Sequence, residues 1–85
     1  MPQRNPAEDT LESLPTERSA TIMSVAAGEA LYHRLAALGL RIGKQVCVLR
    51  RAPFGGPLQI RVGMTEIMLR VEEARCIRVA EASKP

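Results

Sequence analysis

The stretch RRAPFGGPLQIRVG, residues 50–63, decides how the chain reads. Two arginines run into a Pro-Phe-Gly-Gly-Pro bend, which opens into a run alternating apolar and polar residues. Glycines beside basic residues suit either a phosphate cradle or a hairpin turn. A cradle needs GxxxxGK[ST], or GxGxxG opening a helix, because the loop must aim backbone N–H groups at the anion. The bend has neither spacing: Pro57 removes a donor, and the residues after it alternate as a strand. It is therefore a hairpin connection, with Gly55 and Gly56 expected to supply positive φ and Pro53 and Pro57 stiffening its two ends.

Upstream of the bend, QVCVLRR (residues 45–51) places Val46 and Val48 on one face. Downstream, LQIRV (58–62) turns Leu58, Ile60 and Val62 inward and Gln59 and Arg61 outward. Gly63 and Met64 then form a two-residue link with glycine first, the signature of a type II′ hairpin. TEIMLRV (65–71) sets Ile67, Leu69 and Val71 against Glu66, Met68 and Arg70; EEAR makes a single turn, and CIRV (76–79) is a last strand with Ile77 and Val79 inward. Further upstream the period changes to that of a helix, because Leu31, Leu35 and Leu38 recur one turn apart in EALYHRLAAL (29–38). Gly39 suits the left-handed position past the helix end, with Leu40 folding back on the last turn. SATIMSV (19–25) is a first strand with Ala20 and Ile22 on one face. The expectation is a mainly β fold: a small SH3-like barrel of about five strands with one inserted α-helix, closed to hide its strand edges. Residues 1–13 read as a disordered lead-in, 14–80 as the domain and 81–85 as a frayed tail, with Leu11 and Leu14 docking only loosely.

At 85 residues there is room for one domain. The net charge of +3 conceals an asymmetry. Residues 1–18 sum to −2, whereas residues 19–80 hold eight arginines and Lys44 against Glu29, Glu66, Glu72 and Glu73, a sum of +5. A basic domain suits an acidic partner, an anionic membrane face or nucleic acid. Single-strand readers need aromatic platforms among their basic residues, and Tyr32 and Phe54 are the only aromatics, so no nucleic acid is expected as partner. The same scarcity removes a groove for proline-rich peptides. Cys47 and Cys76 are too few for a disulfide framework and lack zinc-knuckle spacing; both read as small hydrophobes in a reducing compartment. No apolar run is long enough to span a membrane, and no signal peptide is recognisable, so a cytoplasmic protein is expected.

Catalytic inventories fail. Glu72 and Glu73 are adjacent and point to different sides of their turn, and His33 has no cysteine near it in sequence. The protein reads as a non-enzyme with no required cofactor. Glu29 and His33, one helical turn apart, are half of a metal site for Zn or Fe(II), which another copy of the chain could complete as a weak, metal-bridged homodimer. For a protein partner, Phe54 at the bend with Arg50, Arg51, Gly55 and Gly56 makes an apolar tip with a cationic flank, the residue types that dominate protein-contact hot spots. The corner at Leu38 and Leu40 is a second candidate.

Several linked motifs carry a resemblance. Arg34-Leu35, Leu38-Gly39-Leu40, Gly43, Val46, Val48, Ala52-Pro53, Gly55-Gly56-Pro57, Glu73-Ala74, Ile77 and Val79 stand in an order that strongly resembles the FeoA family, small cytosolic components of bacterial ferrous iron uptake. The likeness covers roughly residues 14–80, and departs where the Gly63 and Met64 link is tighter than in many relatives. It implies an SH3-like barrel and a partnership with FeoB, a membrane transporter bearing a GTP-binding domain, at the inner face of the membrane. The fold implied is also similar to the C-terminal module of iron-dependent repressors, which adds a metal-responsive regulatory reading. The resemblance assigns no catalytic residue.

Overall fold

The alternation on either side of the bend becomes an antiparallel meander of β3 (Gln45–Arg51), β4 (Leu58–Val62) and β5 (Thr65–Leu69). This computed structural model describes residues 8–81. Val62 pairs with Thr65 across the two-residue link, where Gly63 takes a φ of +61° and Met64 does not turn positive, the expected type II′ geometry. β2 (Ser19–Val25) pairs with β3 and leads into α1 (Glu29–Ala37). After β5 come the single-turn α2 (Val71–Ala74) and β6 (Ile77–Glu81), which returns to the other side of β2. β1 (Glu8–Thr10) and a 3-10 turn (Leu11–Ser13) precede them all.

Several expectations change. The sheet has six strands rather than five, in the order β1-β6-β2-β3-β4-β5, and it does not close: β1 and β5 remain edges. The disordered lead-in does not extend to residue 13, because Glu8, Asp9 and Thr10 pair with Ala80, Val79 and Arg78 of β6. The 3-10 turn beyond β1 buries Leu11, and Leu14 is buried as well. Burying a leucine stabilises by about 2 kcal/mol, enough to hold a three-residue strand too short to have a period of its own. Finally, Glu81 belongs to β6 rather than to a frayed tail, and Val71 starts α2 rather than extending β5. Residues 1–7 and 82–85 of the proposed tails lie outside the described residues.

The inner face of the sheet carries the core. Ile22, Val46, Val48, Ile60, Ile77 and Val79 are all buried, and Leu35 of α1 closes over them. No polar or charged residue is buried among the described residues. The end of α1 follows the expected logic. The Gly39 N–H donates to the Ala36 carbonyl and the Leu40 N–H to the Leu35 carbonyl, both bonds of a Schellman motif, with Gly39 at φ +100°. Leu40 is thereby folded into the core.

One irregularity shapes the approach to the bend. Val48 pairs with Ile60 but Arg50 pairs with Gln59, so Leu49 is an extra residue in β3. This bulge shifts the side-chain alternation by one and sets Arg51 opposite buried Leu58.

Candidate functional site

The bend between β3 and β4 is a closed loop. The Ala52 N–H donates to the Pro57 carbonyl at 2.9 Å, and the Gly56 N–H donates to the Pro53 carbonyl at 3.2 Å. Inside that second bond Phe54 has φ +60° and Gly55 φ +71°. Positive φ at both central residues makes residues 53–56 a type I′ turn. The expected division of labour between the glycines is thus corrected: positive φ falls on Phe54 and Gly55, not on Gly56. Gly56 is needed for a different reason, since a Cβ there would stand 2.7 Å from the Ala52 Cβ. Phe54 carries the strain, as a left-handed backbone costs an L side chain about 1–2 kcal/mol, and its ring is fully exposed, so no burial offsets that cost.

The flanking arginines are not equivalent. Arg51, opposite Leu58 after the bulge, is exposed but donates to the Leu14 carbonyl and ties the N-terminal segment to the hairpin. Arg50 is exposed and has no carboxylate partner among the described residues. Phe54 and Arg50 therefore form the free part of the tip, with Arg51 committed to the fold.

The other sequence candidates lie elsewhere. Gly39, between Leu38 and Leu40, faces Val62 at the far end of β4; the bend adjoins Leu58, about 13 Å away along the strand. Leu40 is 1% exposed and has no surface to offer, while Leu38 is half-buried. Neither shares a patch with Phe54. Glu29 and His33 do approach on the outer face of α1, with His33 Nε2 3.8 Å from Glu29 Oε2 and both side chains largely exposed. The His33 ring packs edge-on against Tyr32, at 5.7 Å between centroids. No third histidine, cysteine or carboxylate joins them among the described residues, so the pair remains half a site.

A feature unseen in the sequence lies beside the bend. A cleft of about 430 Å³ is lined by Arg34, Pro57, Met68, Leu69, Arg70 and Glu73. Glu73, whose side chain is only 13% exposed, holds it together. One carboxylate oxygen accepts the Arg70 backbone N–H at 3.0 Å and the other accepts from the Arg34 guanidinium. The first of these contacts is half of a capping box, with glutamate at the third position of α2. That spacing, RVEE from Arg70 to Glu73, was the available signal; the contact with Arg34, 39 residues away, had none.

Known proteins resemble this chain in family and in fold. The model of the FeoA domain family matches residues 10–81. Among solved structures, FeoA of Chlorobium tepidum is 35% identical with a TM-score of 0.82, and the match covers 88% of this chain and 71% of that one. FeoA of Stenotrophomonas maltophilia in complex with zinc, described as a prokaryotic SH3 domain protein and a candidate ferrous iron transport activating factor, is 37% identical with a TM-score of 0.74, covering 84% of this chain and 88% of that one. A manganese-dependent transcriptional repressor superposes with a TM-score of 0.83 over 93% of this chain and 44% of its own; at 19% identity this shows the fold alone. No curated protein matches.

Proposed function

Because the chain belongs to the FeoA family, we propose that it is a non-catalytic accessory protein of ferrous iron uptake that docks on the cytoplasmic part of a FeoB-like, GTP-binding membrane transporter through the tip of its β3–β4 hairpin. The observation that carries this reading is Phe54, an aromatic ring fully exposed on a strained I′ turn. A folded chain gains nothing internal from such a residue, and strain of this kind concentrates where a partner is met. Arg50 beside it supplies the charge for an acidic rim. The description of the Stenotrophomonas relative as a transport activating factor supports an activating effect. No helix among the described residues is long and apolar enough to cross a membrane, and in this reading the transporter supplies the span.

The test is the transporter's GTP turnover and Fe(II) uptake with and without this protein, and with Phe54→Ala combined with Arg50→Glu. The parent raises both; the double variant, folded by circular dichroism, raises neither. An effect of equal size from the double variant contradicts the docking site, and no effect from the parent contradicts the accessory role.

A second reading rests on Glu29 and His33. The zinc complex of the Stenotrophomonas relative supports zinc binding in this family, and the reading places Zn or Fe(II) at the Glu29–His33 pair of α1 with a second copy of the chain completing the site. Titration calorimetry should then show heat with Zn(II) that His33→Ala removes; no heat from the parent discards it.

A further inference from the structure

The open edge at β5 and the cleft at its end form one continuous surface. β5 pairs only with β4 among the described residues. Val62 and Thr65 close the hairpin as a hydrogen-bonded pair, and the alternation of an antiparallel ladder then turns the backbone N–H and C=O groups of Glu66 and Met68 away from β4. Those groups have no strand to bond. Met68 is 59% exposed on the same edge. Where β5 ends, the cleft begins, with Pro57, Met68 and Leu69 as its apolar wall and Arg34 and Arg70 as its cations.

One carboxylate holds the Arg34 side chain and the Arg70 backbone. Glu73 spends one oxygen on the Arg70 backbone N–H and the other on Arg34. A guanidinium has five donors, so Arg34 keeps most of its own free after that contact. The Arg70 side chain has no carboxylate partner among the described residues. The recess therefore carries two positive charges against one negative, with only Arg34 paired, and its size suits a side chain or two.

We propose that this surface binds an extended acidic peptide segment, which adds a strand along β5 and places a carboxylate between Arg34 and Arg70. Backbone bonds to Glu66 and Met68 supply affinity independent of sequence, while the cleft selects the acidic side chain, the division of roles typical of strand addition. Bidentate geometry between guanidinium and carboxylate makes the selection sharp. This surface is separate from the Phe54 tip, and its test does not depend on the transporter.

The experiment titrates the isotope-labelled full chain with a blocked peptide of alternating valine and glutamate, followed by backbone amide resonances. The expected result is saturable shifts at Glu66, Met68 and Arg70, slowed amide exchange at Glu66 and Met68, and at least tenfold weaker binding by Arg70→Glu. The same charge reversal at Arg78, on β6, should leave the affinity within twofold. Four results overturn the proposal: no shifts up to millimolar peptide; equal binding of a valine–lysine peptide; equal weakening by Arg78→Glu; or movement of the same amides with protein concentration alone, which makes a second copy the occupant.

Discussion

β1 and β5 are both edges of the sheet, yet they end differently. Behind β1, Leu11 and Leu14 plug the core at 0% and 1% exposure, and Arg51 reaches across to the Leu14 carbonyl. Beyond β5 the short α2 buries only the small Ala74 completely, Met68 stands half out of the sheet, and the strand runs into a cleft with two arginines. A short edge can be made safe by covering it, and an open one is left for a partner or guarded by charge. The contrast separates an edge backed by buried leucines from one that leaves apolar and cationic side chains exposed.

Substitutions on the covered side should have the largest effects. Leu11→Ala removes a fully buried side chain and is expected to lower unfolding stability by about 3 kcal/mol. Chemical denaturation checks it; a loss below about 0.5 kcal/mol would mean that the N-terminal turn is an ornament and the contrast false. Next is Gly56→Ala, where the new Cβ meets the Ala52 Cβ at 2.7 Å. A cost of about 1–2 kcal/mol is expected, as for other overpacked sites, and amide resonances of the bend should shift while those of α1 stay fixed.

Smaller still is Arg51→Ala, which deletes the bond to the Leu14 carbonyl. It should cost about 1 kcal/mol and speed amide exchange around residues 11–14. The same change at Arg50, which makes no such bond, should leave stability unaltered, and this pair of variants sharpens the division between a structural and a free arginine. The smallest effect carries the opposite sign. Phe54→Gly relieves the left-handed strain and loses no burial, so stability should rise by up to about 1 kcal/mol even as docking fails. A stability loss in the thermal melt would show that the ring packs on something after all.

Much of the fold was legible because its signals are local. The alternation of Val46 and Val48, of Leu58, Ile60 and Val62, and the glycine-first link at Gly63 all depend on neighbours in sequence, and so does the Schellman end at Gly39 and Leu40. What escaped depends on distant partners. β1 has three residues and exists because β6 is waiting for it. The bulge at Leu49 is a property of the β3 and β4 pairing, not of β3 alone, so which arginine stood opposite Leu58 was hidden. The openness of the sheet is a global property that no strand announces. At the site, the exposure of Phe54 followed from its place in the bend, but its positive φ did not, because adjacent glycines were the cheaper bearers of that strain. Glu73 was passed over as half of an adjacent pair, when its role comes from Arg34 at the other side of the cleft.

The central claim is that function resides in the exposed ring at the bend. Its most direct test is the affinity of the parent and of Phe54→Ala for the isolated cytoplasmic part of the transporter, measured by calorimetry with denaturation midpoints recorded alongside. The account predicts at least a tenfold loss of affinity with an unchanged midpoint. Equal affinities for the two proteins would contradict it.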